Sequence, residues 1–349
     1  MRDLYSFEIV EKSQIYEARR IISAFAKSLD FTETEIGKIT LLITEVCTNI
    51  IKHAKSGELL IRSVRAENIN GLEFLALDKG PGINNLEESL KDKYSTKGTL
   101  GIGLGAIKRS STLFDIYTQP NKGTAVLFRI WSKPLPYPLK PRPLEIGVVA
   151  VPKNGEEISG DSWFACQRKD RSLIAVVDGI GHGLLAAEAA HQAVVVIEQF
   201  SELSPSEILE KLNDSLKNTR GAAIAIIEFL FNKDKINFCG VGNINTKFIS
   251  FGEKINKLNL VSSEGIVGYQ LTRIKELTYP FENSSDSDFF ILVMHSDGVS
   301  TRWDLSSYPG LYTRHPSLIA GVLYRDYSKH MDDITIITAR KRKGNLREP

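Results

Sequence analysis

Four acidic motifs in the C-terminal part of the chain could hold metal ions. They are Ser159-Gly160-Asp161-Ser162-Trp163, Val177-Asp178-Gly179-Ile180-Gly181-His182-Gly183, Ser296-Asp297-Gly298 and Asp332-Asp333-Ile334-Thr335. Asp178 and Asp297 each end a strongly apolar run and precede glycine. Carboxylates at strand ends can converge on one edge of a sheet. Hard oxygen ligands of this kind suit Mg²⁺ or Mn²⁺. Two such ions can activate a water and clamp a phosphoryl group for in-line attack. Any one Asp-Gly pair is also an ordinary turn. Four motifs, three of them at the ends of hydrophobic runs, favour the metal reading. His182 could be an acid near a leaving oxygen, or a turn residue.

A second set lies in the N-terminal part. Glu45-x3-Asn49-x3-His53 puts three polar groups along one helix face. The amide oxygen of Asn49 is a hard ligand for a nucleotide's Mg²⁺, and the Glu45 carboxylate can be a general base. Asp78-x-Gly80-x-Gly82 closes an apolar run, where Asp78 can accept from an adenine amino group and the glycines allow close backbone approach. Gly98-x2-Gly101-x-Gly103-x-Gly105 runs into a helix and offers backbone N–H groups to an anion. It lacks the Gly-Lys-Ser/Thr ending of a Walker A loop, and it follows a polar segment rather than the strand a dinucleotide fingerprint requires.

These residues need elements to hold them. Apolar spacing predicts helices over Ile15–Leu29 and Thr34–Ala54, the second opened by a Thr32/Glu35 capping box. Strand-like runs follow at 58–65 and 72–78, then a glycine-rich loop, a helix near 105–111 and strands at 114–118 and 124–131. Helices followed by meandering strands predict an α+β sandwich. The segment 133–143 holds five prolines in eleven residues, which suits a semi-rigid spacer and no helix or central strand. Beyond it, strands are predicted at 146–151, 162–167, 172–178, 222–229, 236–241, 247–250, 289–296 and 334–339, with helices at 184–198 and 206–217. Many strands with few helices predict two packed sheets flanked by helices. The expected organisation is a domain over 1–132, a linker over 133–143, a second domain over 144–341 and a tail over 342–349.

Composition excludes other classes. The chain has 349 residues, 42% hydrophobic and 25% charged, with a net charge of +2. That is about two domains' length and long enough to bury at least one sizeable core, and the charge gives no electrostatic reason to expect nucleic acid or an anionic membrane as partner. Cys47, Cys166 and Cys239 are far apart and form no CxxC pair, so buried reduced thiols are expected rather than a zinc cage or a disulfide framework. The N-terminus is charged and lacks an apolar signal core. No apolar run approaches the ~18–20 residues that span a bilayer. The expected location is the cytoplasm.

Taken in order, the three N-terminal motifs resemble the N, G1 and G2 boxes of the GHKL ATPases, a family with a Bergerat-type α/β sandwich. The resemblance covers about residues 5–131. It implies that Asn49 binds the Mg²⁺ of ATP, that Glu45 is the base and that Asp78 reads adenine. It implies nucleotide contacts for Gly80, Gly82, Gly101, Gly103, Gly105 and Thr124. Within that family, DKGPGI, KYSTKGTLGIGLGAIKRSSTLFDI and NKGTAVLF look closest to RsbT-like switch kinases. The short interval from Gly82 to Gly101 leaves no room for a large ATP lid.

The C-terminal motifs resemble those of PPM-type serine/threonine phosphatases of the SpoIIE/RsbX-like branch, over about 144–340, with DGIGHG followed by AAEAA as the most specific match. That resemblance implies two Mn²⁺ or Mg²⁺ ions. Asp178 would bridge them, Gly179 would add a carbonyl, and Asp161, Asp297 and Asp332 would complete the set. Related sequences often have Asp-Asn where this chain has Asp332-Asp333, and Asp332 is the favoured ligand.

Together the resemblances imply a bifunctional signalling regulator of partner-switching or stressosome type. A Mg-ATP-dependent serine kinase or switch domain would be fused to a phosphoserine/phosphothreonine phosphatase, both acting on STAS-domain proteins. The alternative is a phosphatase whose ATP-binding domain only binds an anti-anti-sigma or sigma factor.

Overall fold

The computed structural model describes residues 4–90, 103–136, 142–251, 255–271, 273–281 and 289–341. The chain divides into two units. One comprises Met1–Lys140, Leu305–Arg325 and Arg347–Pro349, and the other Pro141–Asp304 and Asp326–Leu346.

The first unit is built on β1 (Leu4–Ile9), β2 (Gly57–Ala66), β3 (Ile69–Asp78), β4 (Leu113–Gln119) and β5 (Gly123–Trp131). They form an antiparallel sheet of order β1-β2-β3-β5-β4. Helices α1 (Lys12–Ser28) and α2 (Glu33–Asn49) share one core with its inner face. In α1 the buried residues Ile15, Ala18, Ile22 and Phe25 recur at helical spacing. The expected capping box opens α2: Glu35 N–H donates to Thr32 Oγ1 at 3.3 Å, and Thr32 N–H donates to Glu35 Oε2 at 2.8 Å. The sequence spacing read one α-helix through Ala54, but the last turn, Ile50–Ala54, winds as a π-helix. Two short helices follow, α3 (Leu86–Ser89) and α4 (Leu104–Ser110), and α4 lies against α2.

The second unit stacks two five-stranded antiparallel sheets. Its first strands are β6 (Leu144–Val151), β7 (Asp161–Gln167), β8 (Arg171–Gly179) and β9 (Ala222–Leu230). Next come β10 (Lys235–Val241), β11 (Asn245–Phe251), β12 (Ile255–Leu260) and the small pair β13 (Gly265–Ile266) and β14 (Gln270–Leu271). β15 (Leu277–Pro280), β16 (Phe289–His295) and β17 (Ile334–Lys341) complete the set. One sheet runs β15-β10-β9-β8-β7 and the other β12-β11-β16-β17-β6.

Strand alternation assigns the faces. Ile174 and Val176 of β8, with Ala223, Ala225, Ile227 and Phe229 of β9, enter the core shared with β11, β16 and β17. Their neighbours Leu173, Ala175, Val177, Ile224 and Ile226 face the other way, onto α5 (Leu184–Gln199) and α6 (Pro205–Ser215). This is the expected pair of packed sheets flanked by helices.

The sequence reading did not predict β1, α3, β12, β13, β14, β15 or the last helix of the chain. Helix α7 (Pro316–Tyr327) is buried from Pro316 to Arg325, and that stretch lies in the segment Leu305–Arg325 that groups with the first unit. It covers the outer face of the β1–β5 sheet. Gly321 packs on the Leu75 side chain, Tyr324 Oη donates to Glu58 Oε1 at 2.9 Å, and Ser317 Oγ donates to Glu73 at 3.1 Å. Glu73 is 3% exposed, with Arg62 Nε at 2.7 Å and Arg129 Nε at 2.5 Å. Burial opposes its charge, but Arg129 and Arg62 overcome that and hold the carboxyl well below the usual range. Removing it takes the carboxylate partner from two guanidinium groups under the helix. Glu73→Ala is therefore expected to destabilise the first unit by about 3–5 kcal/mol, read as a lower urea midpoint.

Candidate metal centre and nucleotide site

The register of the second unit brings the acidic motifs to one end of both sheets. Asp161 opens β7 directly opposite Asp178 near the end of β8, and Asp178 lies opposite Ala223 of β9. In the other sheet Asp297 follows the end of β16, and Asp332 and Asp333 immediately precede β17, which pairs with it.

The electrostatics sort these carboxylates into two groups. Asp161 is 8% exposed, and its carboxyl is raised well above the usual range by burial, then by Asp178, with Asp333 adding to it. Asp297 is raised by burial and then by Asp332. Asp178 faces both sets. Burial pushes its carboxyl up to about 7, reinforced by Asp297, Asp332 and Asp333. It is therefore the carboxylate coupled to both sets, Asp161 with Asp333 and Asp297 with Asp332.

Ser296, fully buried, donates from Oγ to Asp161 Oδ2 at 2.6 Å and accepts from Thr335 N–H at 3.0 Å. Asp333 is 2% exposed; its Oδ1 accepts from Lys153 N–H at 2.9 Å, while its Oδ2 is buried with no hydrogen-bond partner. Among the described residues, no three acidic, histidine or cysteine groups cage a single ion as they stand. An all-oxygen donor set divided around one shared carboxylate, with an unsatisfied buried oxygen beside it, fits a pair of hard divalent cations.

A proton on Asp178 has a consequence for stability. In the metal-free protein this group holds its proton up to about pH 7, whereas the unfolded chain releases it near the ordinary aspartate value of 3.8. The native state then binds more protons across that window, so this contribution to stability falls as pH rises through it. Mn²⁺ must displace that proton. The rise in Tm produced by Mn²⁺ is expected to grow between about pH 5.5 and about pH 8, measured against a chelator control.

Two histidines of this unit are held by local contacts. His295 is 1% exposed; Trp303 Nε1 donates to its Nε2 at 3.0 Å and its Nδ1 faces the Ser296 carbonyl at 2.8 Å, while burial lowers its pKa to about 4. It is a neutral sheet residue. His182 Nδ1 lies 2.9 Å from Glu156 Oε1 on the loop after β8, and sequence reading had not picked out Glu156. Burial pushes the Cys47 and Cys239 thiols up to about 12, which suits inert reduced thiols.

In the first unit the Asn49–His53 turn and the Asp78 corner meet at one end of the sheet, and the described end of the third motif opens α4, which lies against α2. Asp78 ends β3, and its Oδ1 accepts from Gly80 N–H at 2.8 Å and Thr124 N–H at 3.2 Å. Burial raises its carboxyl, and these two bonds oppose the rise. Gly123 comes so close that a Cβ there would collide with the Asp78 carbonyl oxygen, and its φ of +91° also requires glycine. Gly80 packs against Ala54, and His53 acts electrostatically on Asp78, so the π-turn abuts the Asp78 corner with Asn49 one turn earlier. Winding of this kind inside a helix is frequent at functional sites.

Glu45 lies one turn before Asn49, and burial raises its carboxyl against the pull of Lys52. Thr124 is buried, with its Oγ1 3.2 Å from Thr118 Oγ1. Gly82 lies against the Gln119 carbonyl, Gly103 is the N-cap of α4 and Gly105 lies within it. Gly98 and Gly101 lie outside the described residues. Arg325 of α7 donates from Nη1 to the Asp78 carbonyl at 3.0 Å, a contact that motif reading did not anticipate.

These features define a two-layer nucleotide-binding sandwich joined in one chain to a two-sheet fold that gathers aspartates at one end. The chain belongs to the SpoIIE family, described as stage II sporulation protein E, matched over residues 168–342, and its N-terminal part is a histidine kinase-like ATPase domain, matched over residues 10–130. It is 32% identical over 133 residues to the serine/threonine-protein kinase RsbT of Bacillus subtilis strain 168, covering 38% of this chain and all of that protein. It is 29% identical over 154 residues to the phosphoserine phosphatase RsbX of the same organism, covering 44% of this chain and 73% of that protein. A crystal structure of RsbX in complex with magnesium superposes with a TM-score of 0.50 at 25% identity, covering 57% of this chain and 96% of that one. The C-terminal fold is thus that of PPM-type serine/threonine phosphatases. Among the described residues no helix is long and apolar enough to cross a membrane.

Proposed function

We propose that this chain is a cytoplasmic bifunctional regulator that phosphorylates serine on a STAS-domain partner with one domain and hydrolyses phosphoserine or phosphothreonine with the other. The observation that carries the phosphatase half is the convergence of Asp161, Asp178, Asp297, Asp332 and Asp333 at one end of the two sheets, with Asp178 electrostatically coupled to both sets. In this reading Asp178 bridges two Mn²⁺ or Mg²⁺ ions, and the Gly179 carbonyl, Asp161, Asp297 and Asp332 complete their ligands. Bound there, the ions would lower the pKa of water and neutralise the phosphoryl oxygens. The protein's own part is to hold the carboxylates in place. Ser296 fixes the Asp161 carboxylate, and the paired strands set its distance from Asp178. No nucleophilic side chain is required.

In the ATP half, Asn49 would take the Mg²⁺ of ATP, and Asp78 would accept from the adenine amino group through the oxygen not engaged by Gly80 and Thr124. Gly80, Gly82, Gly101, Gly103, Gly105 and Thr124 would line the nucleotide. Glu45 would accept the serine proton. A partly buried carboxylate with a raised pKa is a better base than an exposed one, which supports that role. The similarity to RsbT and RsbX supports a shared partner, and fusion would place opposing activities at high effective concentration around it.

The test is to incubate the chain with Mg²⁺ or Mn²⁺, γ-labelled ATP and STAS-domain proteins. Label should move onto serine and then be released as inorganic phosphate. Retention of all label on ATP would contradict the kinase half, and label that enters serine but never leaves would contradict the phosphatase half.

A further inference from the structure

The turn Gly240-Val241-Gly242-Asn243 reads in the sequence as a hairpin or a close-approach turn. In the structure it is a close-approach turn. It joins β10 of one sheet to β11 of the other, at the end where the aspartates gather. Gly242 sits on Ala223, the residue opposite Asp178 in the ladder. A Cβ at position 242 would strike Ala223, and its φ of +95° also requires glycine.

The turn is anchored on both sides of Asn243. Gly242 N–H donates to the Ser263 carbonyl at 2.9 Å, and Ser263 N–H donates to the Gly240 carbonyl at 2.8 Å. Ile244 is buried in the core between the sheets. Asn243 itself is exposed at the rim, and its Nδ2 donates to Asp297 Oδ2 at 2.8 Å. A carboxylate can only accept, so the chemistry fixes which end of the amide faces Asp297. The backbone of Asp297 is held separately, by Lys329 Nζ on its carbonyl at 2.5 Å.

We infer that Asn243 is a positioning residue of the metal centre. It holds Oδ2 of Asp297 and leaves Oδ1 to the cation shared with Asp178. The inference rests on the two-ion reading above. Groups that orient a ligand in this way typically contribute about 10–100-fold in metal affinity or activity. The bond lies at an exposed rim, so its loss costs the metal-free fold little.

The test is calorimetric titration of the full chain with Mn²⁺. Asn243→Ala is expected to weaken one Mn²⁺ step by about 10–100-fold, with the Tm of the metal-free protein unchanged. Saturating Mn²⁺ should restore kcat. Asn243→Gln, which keeps an amide donor, should recover part of the lost affinity. Wild-type Mn²⁺ affinity in Asn243→Ala would overturn the inference, as would a kcat loss that saturating metal does not repair. Absence of Mn²⁺ binding by the unsubstituted chain would instead overturn the two-ion reading, and this inference with it.

Discussion

Asp178→Asn is expected to lower metal-dependent phosphoserine hydrolysis by about 10³-fold or more, while ATP binding by the same protein stays at the level of the unsubstituted chain. The size follows from what the carboxylate does. Two cations contribute several kcal/mol of charge stabilisation at the phosphoryl group, and each 1.36 kcal/mol is tenfold in rate. Asp178 alone faces both carboxylate pairs, so replacing it by a neutral amide weakens the hold on both ions at once. The fold should tolerate the change. The side chain is nearly isosteric, and its removal relieves repulsion from Asp297, Asp332 and Asp333. The metal-free variant is therefore expected to melt at or above the temperature of the unsubstituted protein at pH above about 7, where Asp178 would carry its charge. Phosphate release from a phosphoseryl protein, with a nucleotide-binding assay alongside, checks both halves. Activity within tenfold of the unsubstituted chain would remove Asp178 from the centre.

Glu45→Ala is expected to lower phosphotransfer to a partner serine by about 10²–10⁴-fold, the usual worth of a positioned general base. Partner binding and nucleotide affinity should change little, since adenine is assigned to the Asp78 corner and Mg²⁺ to Asn49. The measurement is label incorporation in a chain that also carries Asp178→Asn, so that dephosphorylation does not mask the product. This variant separates the kinase from a pure binding module. Loss of transfer with retained binding supports Glu45 as the base. Unchanged transfer would contradict the assignment. A partner that binds tightly yet is labelled by neither protein would favour the ATP domain as a regulatory binder.

Much of the site was readable because strand-end aspartates and glycine-rich corners leave local marks. Asp161, Asp178, Asp297 and Asp332 each sit beside a run of alternating or continuous apolar residues, and strand pairing does the rest. The Thr32/Glu35 box announced α2 for the same local reason. What stayed hidden depends on contacts distant in sequence. Helix α7 is apolar on all sides because it is buried along most of its length, so it has no polar face to give it a 3.6-residue signature. Glu73 reads as the polar member of a strand, yet it is buried between Arg62, Arg129 and Ser317, the last 244 residues away. The π-turn after Asn49 has no residue pattern of its own. Asn243 looked like a turn residue because the sequence cannot reveal that its turn crosses from one sheet to the other beside Asp297.

The central claim is that folding gathers widely separated aspartates around two cations with one carboxylate common to both. Anomalous scattering from crystals of the chain grown with Mn²⁺ tests it most directly. Two peaks flanking the Asp178 carboxylate, one toward Asp161 and one toward Asp297 and Asp332, are the expected result. No peak at that end of the sheets, or peaks that leave Asp178 uncoordinated, would contradict it.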